Sequence, residues 1–456
     1  MTKDSSGSTP YRTDTQYLTP PLAYCFTQAL GRIKRQTQLV TGSSLAGANG
    51  GVDMVESDVR SKLKLIYFSY FPAQHAIGPA TAIRNLARQF QTQYEVSIIA
   101  LNFDYSLRKK IFSVKLHEVR DGAIRIIYLP KSILGLKRLF QEIKEDKTCI
   151  VVNCMFDQVL AIPAIIYARI RRQTIVHVPH GIFLPAVFKH KNLKKRIFCY
   201  FFDVFGLGKS VVHIATSQRE AKDIRNALKR PAIVQISNLN ALSEEIQPRS
   251  KPPDSLNICF IGRIAKQKNL LGALEILQHA NLNCTMDVFG IEEDAAYVAR
   301  CKTLIATFPA SINVSFQGFT PQDVLLRRIA SYDLLFAPTL DENYGYSIIE
   351  SMGAGVPVLI SDRTPWRDLE KFKAGWVVEL ENWIKFSEIL NLAYHSGEEW
   401  ANYRSGARNY AHAHTMQTGA PERYKMLFEA ILASRGKPFR LPPALIGEEP
   451  GPILRE

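Results

Sequence analysis

Continuous apolar runs of strand length, each followed by a polar loop and then a helical pattern, recur along most of the chain. The first is "KLKLIYFSYF", followed by the loop "PAQHAIGPATA", the helical pattern "TAIRNLARQF" and a second buried-type run, "YEVSIIAL". Strand, helix, strand in that order is the unit of a parallel sheet. "IRIIYL", "TCIVVN", "TIVHVPHG" and "VVHIATS" continue the series. The pattern then breaks at "SNLNALSEEIQPRSKPPDSLN", which is polar and proline-bearing, as linkers are. A second series follows: "NICFIG", "CTMDVFG", "INVSFQG", "DLLFAPT" and "VPVLIS" as strands, with helical patterns between them. The reading is two doubly wound α/β domains in tandem, each with a parallel sheet. The expected spans are 61–243 and 257–415, a linker at 244–256, a C-terminal helix at 416–435 and a Pro-rich tail at 436–456. Residues 1–60 are polar and rich in Ser, Thr and Gly, an extension expected to be partly disordered.

Composition narrows this reading. The 456 residues are 46% hydrophobic and 22% charged, ordinary globular values. No apolar run is long enough to span a membrane, and the first fifty residues do not read as a secretory signal. The seven cysteines are scattered and none forms a C-x-x-C pair. That argues for buried thiols in a reducing, cytoplasmic setting and against a zinc site. The net charge of +15 is unevenly spread. From Ser61 to Asn240 there are 29 Lys and Arg against 11 Asp and Glu, a net +18, while the rest of the chain carries 28 against 31, a net −3. A basic half joined to a mildly acidic half suggests contact with an anionic surface, nucleic acid or membrane lipid.

Ligands of such sheets bind beyond the carboxyl ends of the strands. Residues just after strands are therefore the candidates. After "NICFIG" comes "GRIAKQKN", where Arg263 and Lys268 suit a polyanion such as a diphosphate. The alternative is a solvated basic loop. After "DLLFAPT" come Asp341 and Glu342, then a helix expected to start near Tyr346 or Ser347. The amides of Gly345, Tyr346 and Ser347 would face a phosphate. Glu342 could accept sugar hydroxyls, and Glu350 could grip a ribose diol. Glu350 could instead close a capping box with Ser347. In the other half, His180 followed by Gly181 is the better cleft candidate, and His177 reads as a core histidine. Gly78 is a weaker candidate, placed in a loop facing the cleft.

Together these residues resemble the retaining nucleotide-sugar glycosyltransferases of family four, which have the GT-B fold. The likeness runs from about Lys62 to Ala433 and is strongest in the second half. "GRIAKQKN" is similar to that family's Gly-Arg-x4-Lys motif, and "PTLDENYGYSIIESMGAGVPVLISD" to its Glu-x7-Glu motif followed by Gly-x-Pro-Val. "VPVLISDRTPW" is similar to bacterial members that build surface polysaccharides. The resemblance implies a GT-B fold of two Rossmann-like domains facing each other across a cleft. It implies a metal-independent hexosyltransferase needing no cofactor, with a nucleoside-diphosphate sugar as donor and a glycan or lipid-linked acceptor. Arg263 and Lys268 would bind the diphosphate, helped by the amides around Tyr346 and Ser347. Glu350 would hold the ribose and Glu342 the transferred sugar. His180 would lie beside the sugar and leaving phosphate. Attack would occur on the same face, with the leaving phosphate taking the acceptor's proton.

This chain departs from the pattern in two places. Pro79 follows Gly78 where many members have a glycine pair, and Pro179-His180-Gly181-Ile182 stands where bacterial relatives often read Pro-Arg-Gly-Glu. In this family the first domain takes the acceptor, so "SLRKKIF", "LGLKRLF", "RIRRQ" and "FKHKNLKKRIF" would suit a peripheral position on the inner face of an anionic membrane. A solvated basic surface is the plainer alternative. The rival functions are a nucleotide-sugar epimerase on the same fold, a nucleic-acid-binding protein, for which no motif or stacking platform is evident, and an inactive partner subunit.

Overall fold

A computed structural model describes residues 60–72, 77–104, 109–111, 116–183, 192–242, 251–280 and 282–446. Residues 1–59 of the extension, residues 244–250 of the linker, the tail beyond 446 and parts of "SLRKKIF" and "FKHKNLKKRIF" lie outside the described residues.

The first sheet contains β1 (Lys62–Ile66), β2 (Glu95–Leu101), β5 (His117–Asp121), β6 (Ile124–Leu129), β7 (Thr148–Val152), β8 (Ile175–His177), β9 (Val211–Ala215) and β10 (Ala232–Gln235), in the order β10-β9-β8-β7-β1-β2-β6-β5. A two-stranded pair, β3 (Phe103–Asp104) and β4 (Lys109–Lys110), stands beside it. The second sheet contains β11 (Leu256–Ile261), β12 (Cys284–Phe289), β13 (Ile312–Gly318), β14 (Leu334–Ala337), β15 (Val358–Ser361) and β16 (Gly375–Val378), in the order β13-β12-β11-β14-β15-β16. All pairings in both sheets are parallel except β5 with β6. The expectation of a wholly parallel first sheet is corrected at that edge. "HEVRD" is polar and largely exposed there, with no buried run for apolar pattern reading to detect. The four-residue strands β10 and β16 also went unread in the sequence.

Helices cover the sheets. Those of the first half are α1 (Ile77–Phe90), α2 (Ile133–Ile143), α3 (Ala161–Ile170), α4 (Asn192–Val204) and α5 (Gln218–Ala227). Those of the second are α6 (Leu270–His279), α7 (Ala295–Ile305), α8 (Gln322–Ile329), α9 (Tyr346–Gly353), α10 (Trp383–His395) and α11 (Trp400–Gln417). Strand interiors such as Leu63, Val151, Ile258 and Leu334 are fully buried, as expected for sheets covered on both faces.

The last helix, α12 (Ala420–Ala433), returns to the first sheet. Tyr424, Leu427, Phe428 and Ile431 join the core formed by Leu86, Phe90 and Tyr94. Arg423 donates to the Gln235 carbonyl at 3.0 Å. The preceding helix, α11, packs Ala407, Tyr410 and Ala411 on Ile348 and Met352 of α9, so the chain leaves the second half through α11 and returns to the first through α12.

Candidate active site

The carboxyl ends of both sheets open on one cavity of ≈ 510 Å³. Its walls come from the segments after β1, β8, β11, β12, β13 and β14, and from α1. Every candidate residue lines it: Gly78 and His180 on the first side; Arg263, Lys268, Glu342, Gly345, Tyr346, Ser347 and Glu350 on the second.

The two motifs of the second half are hydrogen-bonded to each other. The Leu340 amide donates to the Gln267 carbonyl at 2.9 Å, and Asn269 Nδ2 donates to the Pro338 carbonyl at 2.9 Å. Asn269 sits at φ +57° as the residue preceding α6, a left-handed position that Asn tolerates. These bonds fix Lys268 opposite Glu342, and the two side chains form an ion pair. Arg263 pairs with Glu293 at the rim. Asp341 turns away from this pair and meets Arg219 of α5 at 3.3 Å, a contact between the two halves.

Helix α9 starts at Tyr346, with Gly345 before it at φ +81° and no side-chain cap. The Trp366 indole anchors the preceding loop by donating to the Tyr344 carbonyl at 2.7 Å. The uncapped start of this helix and the two cations line the same cavity, an arrangement suited to an anion. The capping-box alternative for Glu350 does not form. The residue before the helix is Gly345, and the Glu350 carboxylate accepts from Gln322 Nε2 at 2.7 Å instead. Glu350 is only 5% exposed, and burial pushes its carboxyl up to about 7, opposed by the Gln322 hydrogen bond and the Arg84 charge.

On the first side, His180 adopts φ +50° and is followed by Gly181 at φ +77°. The Gly181 amide donates to Glu220 Oε1 at 2.6 Å, and Glu220 Oε2 accepts from the Thr216 amide and hydroxyl. Glu220 lies on the first turn of α5, which Ser217 caps. The His180 Nε2 atom is enclosed without a protein partner, and burial pushes the imidazole down to about 4, so it is neutral near pH 7. His177 is a core residue as expected: it accepts from the Met155 amide and lies 2.9 Å from His213.

Gly78 requires a correction. It lies not in a loop but in the first turn of α1, with Pro79 beside it. Pro is tolerated there because first-turn amides have no intrahelical acceptor. Residues that sequence reading missed also line the cavity: Arg84, Asn238, Gly290 and Gln322. Gly290 follows β12 directly, so the strand-end rule could have found it. Its φ is +149°, and an added Cβ would lie 1.8 Å from the Gly262 carbonyl oxygen. Arg84 sits mid-helix, and its position across the cavity has no local signal.

Among the described residues, no group of three or more His, Cys, Asp or Glu side chains could hold a metal ion.

Residues 243–410 match the family model for Glycosyl transferases group 1, so the second half of the chain carries that domain. No curated protein matches the sequence. Solved structures do match in fold. HepE of Anabaena in complex with UDP and glucose is 16% identical, with a TM-score of 0.61, covering 81% of this chain and 100% of its own. Sucrose-phosphate synthase of Thermosynechococcus elongatus is 15% identical, with a TM-score of 0.65, covering 82% and 100%. WaaG, a glycosyltransferase involved in lipopolysaccharide biosynthesis, is 16% identical, with a TM-score of 0.55, covering 80% and 99%. The architecture is the GT-B fold.

Proposed function

We propose that this chain, with a group 1 glycosyl transferase domain on a GT-B fold, is a retaining glycosyltransferase. It takes a hexose from a nucleoside-diphosphate sugar and passes it to a glycan or lipid-linked acceptor in surface polysaccharide synthesis. One observation carries the reading: a single cavity joins two cations, an uncapped helix start, two carboxylates and a neutral histidine from the opposite sheet. The HepE complexes with UDP and glucose and with UDP-glucose support a uridine donor.

In this reading Arg263, Lys268 and the first amides of α9 hold the diphosphate and stabilise the charge of the leaving group without a metal or other cofactor. Glu350 accepts from the ribose hydroxyls and Glu342 from the sugar. Neutral His180, held by the Glu220-anchored turn, faces the sugar. The acceptor approaches from the first half (61–243), and the donor rests on the second (257–415). No observation favours the epimerase, nucleic-acid or inactive-subunit readings.

We also place the enzyme in the cytoplasm, peripheral to the membrane. Among the described residues no helix is long and apolar enough to cross a membrane. Ile133 and Leu134 are exposed beside Lys137, and Ile170 beside Arg171 and Arg172; Tyr200 and Val204 of α4 are also exposed. Apolar tips among cations suit anionic lipid. Binding to phosphatidylserine vesicles but not to phosphatidylcholine vesicles supports this placement, and equal binding to both removes the electrostatic part of it.

The test of activity is incubation with isotope-labelled UDP-, GDP- and ADP-hexoses and glycolipid-containing membranes, followed by NMR of the product. Sugar incorporation with the donor's anomeric configuration supports the reading. Inversion overturns the retaining assignment, and scrambling of the free donor revives the epimerase.

A further inference from the structure

Three side chains form a hydrogen-bonded chain from one half of the molecule to the other. Arg84 Nη1 of α1 donates to Gln322 Oε1 of α8 at 3.2 Å, and Gln322 Nε2 donates to Glu350 Oε1 of α9 at 2.7 Å. All three line the cavity. Gln322 is 8% exposed and Glu350 5%. Arg84 is half-buried, with its guanidinium 5.6 Å from the centre of the Phe71 ring.

A glutamine amide has one accepting and one donating end. Turned one way it gives Glu350 a donor; turned the other way it presents a carbonyl oxygen to a carboxylate, which is repulsive unless that carboxyl is protonated. Arg84 has only donors. By occupying Gln322 Oε1, it forces the amide end toward Glu350. It also brings a positive charge near a buried carboxylate that ionises reluctantly.

We propose that Arg84 is a positioning residue from the first half that, by orienting Gln322, holds Glu350 as an ionised acceptor for the donor's ribose diol. The proposal rests on the nucleotide-sugar reading of the site. It adds that the ribose grip of the second half is completed by the first. Contact between the halves and donor affinity then strengthen each other, because such coupling is reciprocal.

The experiment compares UDP with 2′,3′-dideoxyuridine diphosphate by titration calorimetry, with GDP or ADP and their dideoxy forms if the protein selects another base. Arg84→Gln is expected to weaken UDP binding about tenfold, the scale of one hydrogen bond to a charged group. It should leave dideoxy-UDP binding unchanged. Arg84→Lys, which keeps a cationic donor, should recover part of the loss. Gln322→Met cuts the same chain while sparing the packing of Arg84 on Phe71, and should reproduce the diol-dependent loss if Arg84→Gln folds poorly. Equal losses for both nucleotides, or no loss for either, overturn the proposal while leaving the donor site standing. Failure of the wild type to bind any of the nucleoside diphosphates overturns the donor-site reading and this inference with it.

Discussion

Lys268 and Glu342, which the sequence places 74 positions apart on separate motifs, form an ion pair on the cavity wall, with side chains 20% and 16% exposed. A diphosphate binding at Lys268 competes with Glu342 for the ammonium. Glu342→Gln removes that competitor. The variant should bind free nucleoside diphosphate as tightly as the wild type or more tightly, while sugar transfer falls about a hundredfold or more. Lys268→Ala should weaken the nucleotide by roughly ten- to a hundredfold, the range for a hydrogen bond to a charged group. Calorimetry and turnover on the same preparations separate the two effects. A Glu342→Gln variant that loses affinity in step with activity contradicts the assigned role.

On the proposed ribose role, Glu350 should make donor binding depend on pH. Burial pushes its carboxyl up to about 7, and the ionised form offers two full acceptor oxygens to a diol, whereas protonation turns one of them into a donor. Affinity for UDP-glucose, whose diphosphate does not titrate in this range, should rise from pH 6 to pH 8. Glu350→Gln should flatten that rise.

The same carboxyl affects stability in the opposite direction. Its folded value lies above its unfolded value, so the native state binds the extra proton between about 4.5 and 7 and stability is lost as pH rises through that window. Glu350→Gln should therefore stabilise the ligand-free protein at pH 8, by about 3 kcal/mol, and do little at pH 4. Thermal unfolding at the two pH values reads the difference. A variant less stable than wild type at pH 8 contradicts the burial argument.

A side chain at Gly345 is disfavoured for two reasons. Its φ is +81°, and an added Cβ would lie 2.8 Å from Ile348 Cδ1 and 3.2 Å from Glu342 Cγ. Gly345→Ala should cost about 1–2 kcal/mol in stability. Because the crowding falls on Glu342, transfer should drop by more than that destabilisation accounts for. Activity of the folded fraction, measured well below the unfolding temperature, checks this.

Glu220 anchors the Gly181 amide and both donors of Thr216. Glu220→Ala should release the turn that carries His180, lowering transfer more than tenfold while nucleoside diphosphate affinity stays within twofold. A matching loss of nucleotide affinity would mean that the turn also shapes the donor side.

The fold was legible because both sheets are buried on two faces, which writes their central strands as apolar runs such as "KLKLI" and "NICFI". Polar β5 and the return of α12 to the first sheet were not, since neither follows from local pattern. Strand-end position singled out Arg263, Lys268, Glu342 and His180, and all four line the one cavity at the carboxyl ends of the sheets. It left two readings of Glu350. The helix start after Gly345 and the Gln322 contact exclude the capping one, and no spacing rule relates Glu350 to Gln322 or to Arg84 across the cavity.

The most direct measurement of the central claim is a thermal-shift panel of UDP, GDP, ADP and CDP and their hexose conjugates against the full chain and Lys268→Ala. A ligand bound only by the native state raises its stability. The account predicts that one base series raises the wild-type unfolding temperature in a concentration-dependent way, and that Lys268→Ala loses most of the shift. No shift with any member, or an undiminished shift in Lys268→Ala, would contradict it.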